Sequence, residues 1–184
     1  MKINSGKFRG FPILTKPIAG TRPTSDKVKQ AIFNILGEAV RDRVVLDLFS
    51  GFGGLGLEAL SRGAKDVFFV EKNPRCAALI RQNVAKTGAG AQAHILVQDI
   101  FQAIGQMEKR GFQCDIVLSD APYQLLDTNA KLLNVLENSS MLKNSSLVLF
   151  QHDKGDVVDA AGTALKKIRA YSYGDTIITI YQKD

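Results

Sequence analysis

Four acidic residues, Asp47, Glu71, Asp99 and Asp120, each close or follow a short apolar run. The first is followed by Gly51-Phe-Gly53-Gly-Leu-Gly56, and Glu71 lies 20 residues after Gly51. A G-x-G-x-x-G loop with an acidic residue at that distance suits a nicotinamide dinucleotide and S-adenosylmethionine (SAM) equally well. The same glycines would also serve a tight strand-to-helix turn with no ligand at all. Asp47 separates these readings. A pyrophosphate is doubly anionic and seeks helix N–H groups away from carboxylates. SAM has no phosphate and carries an ammonium and a sulfonium, so a carboxylate at the mouth of the loop favours it. Glu71 can accept from the ribose hydroxyls and Asp99 from the adenine amino group. Ser50, Gly51, Gly53 and Gly56 in the loop, with Ile100 after Asp99, complete the candidate cofactor contacts.

Asp120-Ala121-Pro122-Tyr123 follows the fourth apolar run. It offers an acceptor side chain, a backbone carbonyl and an aromatic ring. Two acceptors can hold the N–H groups of an exocyclic base amine, and Tyr123 can stack on a base splayed out of its helix.

These residues need elements that bring them to one edge. Arg43–Phe49, Asp66–Glu71, Ala93–Val97, Cys114–Ser119 and Ser146–Gln151 read as buried strands, because they are apolar and β-branched. Helices are expected from about Ser25 to Ala39, then over Leu57–Arg62, Asn73–Lys86, Phe101–Lys109 and Thr128–Glu137. Thr24 or Ser25 can cap the first. The runs Ala164–Tyr173 and Thr176–Gln182 flank Gly174-Asp175 and read as a hairpin. Strand–helix alternation implies an α/β, Rossmann-like, mainly parallel seven-stranded sheet. The hairpin makes one late strand antiparallel. Ligands bind such sheets beyond the carboxyl ends of the strands, where the four acidic residues fall.

A length of 184 residues suits one catalytic domain, 25–184, preceded by a basic arm or hairpin, 1–24. Net charge is +6 and the pI is near 9.4. Residues 1–30 hold seven basic groups against Asp26 alone, and the rest of the chain carries 17 of each sign. Such a local excess attracts polyanions, because phosphate contacts add and release counterions. Lys2, Lys7, Arg9 and Arg22 are the candidate RNA contacts. A merely solubilising terminus would have the same composition.

Cys76 and Cys114 lie outside any C-x-x-C pairing, and His94 and His152 lack ligand-like spacing, so no metal site is expected. Asp, Glu, Lys or Arg interrupts every apolar run before it could span a bilayer, and the first ten residues lack an apolar signal core. A cytoplasmic monomer is expected.

Asp47 to Ala64 resembles the cofactor loop of the RsmD family, the bacterial 16S ribosomal RNA guanine-N2 methyltransferases. The likeness extends to Gly6-Lys-Phe-Arg-Gly10, Arg22-Pro-Thr-Ser-Asp26, Phe33-Asn34, Val70-Glu71 and Tyr173-Gly-Asp-Thr176, and so covers essentially the whole chain. It implies methyl transfer from SAM to a guanine N2 amine, with 16S RNA or the small ribosomal subunit as partner. The alternatives are an amino-methyltransferase of DNA bases and a non-catalytic RNA-binding member of the fold. One position departs from the family. Its catalytic motif is Asp-Pro-Pro-Tyr or Asp-Pro-Pro-Phe, and this chain has Ala121 at the first proline. Alanine leaves φ free where proline fixes it.

Overall fold

A computed structural model of the chain describes residues 1–19, 25–122, 128–155 and 164–184. Seven strands form one sheet: β1 Val44–Leu48, β2 Asp66–Val70, β3 Ala93–Leu96, β4 Cys114–Asp120, β5 Leu142–Asp153, β6 Leu165–Tyr173 and β7 Thr176–Lys183. Their order is β3-β2-β1-β4-β5-β7-β6. The first five run parallel to one another, and β7 runs antiparallel to both β5 and β6. The hairpin expected at Gly174-Asp175 therefore supplies the one reversed strand.

Five helices cover the two faces: α1 Asp26–Leu36, α2 Gly54–Ser61, α3 Pro74–Thr87, α4 Ile100–Lys109 and α5 Thr128–Glu137. Their ends follow local chemistry. The Ser25 hydroxyl caps α1 at the Val28 N–H, Asn73 caps α3, and Pro74 begins α3 where no N–H is needed. Alternation along each strand splits the core into two layers. Val45, Ile116, Leu118, Ile178 and Ile180 face α1, α2 and α3. Leu46, Leu48, Val117, Phe150 and Tyr181 face α4 and α5.

The N-terminal segment packs into the first of these layers through Ile3 and Ile13, both buried. It doubles back on itself: the Ile3 N–H donates to the Phe11 carbonyl, the Ile13 N–H to the Met1 carbonyl, and Lys2 bridges Pro12. Glu58 on α2 is fully buried and anchors it. Its carboxylate accepts the Asn4 and Ser5 N–H groups at 2.7 and 3.0 Å and the Arg62 Nε at 2.9 Å. Lys29 completes the cluster, 3.7 Å from Glu58 and 3.3 Å from Asp26, and donates to the Lys2 carbonyl. Lys29, one of the seven basic groups of residues 1–30, is thus turned inward. Its charge is taken up by two carboxylates rather than offered to a partner.

Candidate active site

The strand order reverses between β1 and β4, and a doubly wound sheet opens its binding crevice at such a switch point. Asp47 is the penultimate residue of β1 and Asp120 the last of β4, on adjacent strands. Asp47 pairs with Leu118, which faces the α1–α3 layer, and alternation puts Asp120 on that same face. Glu71 follows β2 directly, and Asp99 follows β3 as the N-cap of α4. All four acidic residues therefore meet one edge, as their spacing predicted.

The glycine loop connects β1 to α2. Phe49, Gly51 and Gly53 have φ of +57°, +55° and +82°, a left-handed backbone that glycine adopts at little cost and phenylalanine does not. Gly56 lies under the Phe69 ring, and a Cβ there would stand 2.2 Å from Phe69 Cε1. The Ser50 hydroxyl donates to the Asp47 carbonyl at 2.6 Å and its N–H to the Val70 carbonyl at 3.1 Å, which ties the tips of β1 and β2 together. Ser50 thus shapes the loop through its backbone partners. Behind the loop, buried Asn83 on α3 donates to the Phe52 and Leu14 carbonyls and accepts the Leu14 N–H.

Carboxylates occupy the loop's donors. Asp47 Oδ2 accepts the Gly56 N–H at 2.9 Å, in the first turn of α2. Glu71 Oε2 accepts the Gly51 N–H at 2.8 Å, and its Oε1 accepts the Asn73 N–H at 2.7 Å. A dinucleotide pyrophosphate would need these N–H groups and would meet negative charge there. A cationic ligand finds the reverse. Asp47 is 1% exposed, and burial pushes its carboxyl up to about 8, reinforced by the charges of Asp120 and Glu71. Such a group gains most when an ammonium or sulfonium arrives beside it. Glu71 is half-buried, and each of its oxygens keeps a lone pair beyond its backbone N–H, which suits two ribose hydroxyls. Asp99 spends Oδ1 on the Phe101 N–H and keeps Oδ2. Ile100, buried, opens α4 with an N–H that has no intrahelical acceptor. The donor set fits SAM.

At the tip of β4, Ala121 is buried and Pro122 exposed. Tyr123 and Arg22 lie outside the described residues. Lys2, Lys7 and Arg9 are exposed. Lys7 and Arg9 sit on the turn around Gly6, whose backbone meets Ser61 at the last turn of α2. The glycine loop is at the other end of that eight-residue helix, about 12 Å away. Both histidines are structural. His94 pairs with Asp66 and stacks on Phe68, and buried His152 bonds the Thr179 hydroxyl and the Asp153 carbonyl. Among the described residues no group of three or more His, Cys, Asp or Glu could hold a metal, and no helix is long and apolar enough to cross a membrane.

Gln151 escaped the sequence reading. It pairs in register with Asp120, two residues before the end of β5, is 4% exposed, and its Oε1 has no hydrogen-bond partner among the described residues. An uncharged glutamine ending an apolar strand carries little signal until its neighbour is known.

The family described as Conserved hypothetical protein 95 matches residues 1–182. The chain belongs to it. Among the chain's relatives is YlbH of Bacillus subtilis, a candidate rRNA methyltransferase. It is 32% identical over 185 residues, covering 100% of this chain and 99% of that protein. Ribosomal RNA small subunit methyltransferase D of Escherichia coli is 27% identical over 186 residues, covering 100% and 90%. In three dimensions the chain superposes on yhhF of Escherichia coli, a candidate methyltransferase, with a TM-score of 0.84, 26% identity and coverage of 100% and 98%. Within the Conserved hypothetical protein 95 family, the glycine loop and the acidic strand tips thus stand on a methyltransferase fold.

Proposed function

We propose that this chain transfers a methyl group from SAM to the N2 amine of a guanine in small-subunit (16S) ribosomal RNA. One observation carries the reading. At the sheet's switch point the buried carboxyl of Asp47 stands on the strand beside Asp120, so a site for a cation adjoins an acceptor for an amine. The name of the Escherichia coli relative supports the small-subunit RNA, and the resemblance of the Asp120 motif supports guanine N2. The partner is the naked RNA or the small-subunit particle, met in the cytoplasm by a monomer.

When bound, SAM supplies a methyl carbon made electrophilic by its sulfonium. Asp47 balances the cofactor's positive charge, and Glu71 and Asp99 fix its ribose and adenine. The guanine N2 lone pair is delocalised into the ring, so the amine needs aiming more than it needs a strong base. Asp120 and the Ala121 carbonyl accept its two N–H bonds and point the nitrogen at the methyl carbon. With SAM held there, Asp120 or a water beside it would take up the proton that the amine loses. Tyr123 stacks on the splayed base. Gln151 Oε1, one strand over, is a further acceptor for the base edge. Ala121 gives up the ring of the family's proline, yet Pro122 after it still confines its backbone to extended conformations. The carbonyl that serves as second acceptor therefore keeps much of its direction.

Asp120→Ala tests the assignment. Single-turnover methyl transfer to small-subunit RNA should fall by about 10² or more, the scale of losing one preorganised polar group. SAM affinity by calorimetry should be nearly unchanged. Wild-type single-turnover rates in the variant would remove Asp120 from the chemistry. A native protein that binds SAM and RNA but transfers no methyl group would make the chain a non-catalytic RNA binder.

A further inference from the structure

A groove of about 440 Å³ runs between α1 and the outer strand β6, separate from the strand tips already described. Lys27, Gln30 and Asn34 of α1 form one wall, Tyr171 and Tyr173 of β6 the other, and buried Ala31 lies at its base. No carboxylate is among the described residues that line it. Strand register explains how the tyrosines come to face α1. Tyr171 pairs with Ile178 and Arg169 with Ile180, and both isoleucines belong to the α1–α3 layer. Partners across a strand pair share a face, so Arg169, Tyr171 and Tyr173 form a row on the α1 side. Arg169 donates to the Tyr171 hydroxyl at 3.1 Å, and its guanidinium lies 5.9 Å from the ring centre. Tyr173 pairs with Thr176, which pairs in turn with Asp153 at the tip of β5. The groove therefore opens at the same edge of the sheet as Asp120.

This inventory matches one chemistry. Aromatic faces stack bases of any sequence, cations follow the phosphates, and side-chain amides bond base edges. An acidic peptide would use the two cations but would leave the rings and amides without a purpose. We propose that the groove holds an unpaired nucleotide of the substrate RNA, apart from the base that is methylated. Tyr171 and Tyr173 are its stacking surfaces, Gln30 and Asn34 bond its edge, and Lys27 and Arg169 lie against the backbone. The proposal rests on the RNA reading above and adds a binding surface that neither the basic arm nor the strand tips provide.

The test uses the full chain and two variants. Tyr173→Ala removes a half-buried ring, and Lys27→Glu with Arg169→Glu reverses two exposed charges without touching the core. Fluorescence anisotropy with a short fluorescein-labelled single-stranded RNA should show a loss of about 5- to 150-fold for Tyr173→Ala, the scale of one stacked base. The charge variant should also bind weakly and show a shallower salt dependence. SAM affinity should stay at its native value in both, and the thermal midpoint at its native value in the charge variant. Irradiating the native protein with 4-thiouridine-substituted RNA should cross-link peptides containing Tyr171 or Tyr173. Native RNA binding and methylation, with both variants unchanged and cross-links elsewhere, would overturn the groove alone. A native chain that neither binds nor methylates RNA would overturn the function and the groove together. Variants that bind naked RNA normally but lose the small-subunit particle would assign the groove to a protein partner and overturn the proposal.

Discussion

Asp47 shows how one side chain ties cofactor choice to pH. Its folded carboxyl titrates at about 8, whereas an unfolded aspartate does so near 3.9. The native chain thus holds this proton more tightly than the unfolded chain. Its contribution to stability falls as pH rises from about 4 to 8 and is level above that. A cationic ligand favours the ionised form, so SAM affinity should rise with pH up to about 8, by at most tenfold per unit, and then level off. Calorimetry in two buffers of different ionisation heat should detect a proton released on binding below pH 8. Asp47→Asn should flatten the pH profile. A profile already flat in the native protein would detach Asp47 from the cofactor's charge. At this scale the sequence was legible where an acidic residue closed an apolar run, as for Asp47, Glu71, Asp99 and Asp120. It was opaque where a polar side chain served the interior. Lys29 and Asn83 read as ordinary helix residues, because their partners, Glu58 and the Phe52 and Leu14 carbonyls, lie 29, 31 and 69 positions away.

Helices and strands were legible in number, type and order, and their differences from expectation occur where local propensity and tertiary contact disagree. The glycines of the loop argue against helix, so α2 was expected from Leu57. It begins at Gly54, because Gly56 must pass beneath Phe69 and its N–H must reach Asp47. Strand β5 begins at Leu142 and not Ser146, through polar Lys143-Asn-Ser145. A register irregularity opposite Cys114 and Ile116, with Ser145 at φ +65°, accommodates that segment. Two glycine variants should separate the ends of α2. Gly56→Ala would drive a methyl into Phe69, costing about 1–3 kcal/mol as overpacking and abolishing SAM binding. Gly6→Ala would place Cβ 1.9 Å from the Ser61 carbonyl oxygen at φ +80°, loosening the N-terminal turn while leaving cofactor affinity near native. Thermal melting with SAM titration checks both. Equal loss of SAM affinity in the two variants would show that α2 transmits disorder along its length.

For the whole molecule, charge and topology act together. Lys2, Lys7, Arg9, Lys16 and Lys27 are exposed, whereas Lys29 is enclosed, so the outward excess of the first 30 residues is smaller than composition suggests. Replacing Lys2, Lys7 and Arg9 with Ala should weaken RNA binding and reduce the slope of log affinity against log salt by about 0.7–0.9 for each phosphate no longer engaged. Cofactor binding should not change, because the loop lies a helix length from Lys7 and Arg9. Filter-binding titrations over a salt series would measure this, and an unchanged slope would make the arm a packing element only.

The anchoring of that arm also sets an order of events during synthesis. Asn4 waits for Glu58, 54 residues later, and Leu14 for Asn83, 69 residues later. At about 5–20 residues per second, several seconds pass before either partner exists. Residues 4 to 14 are thus made well before the residues that secure them. Throughout that interval the nascent chain carries an unanchored basic segment, and the ribosome that is making it is itself largely RNA.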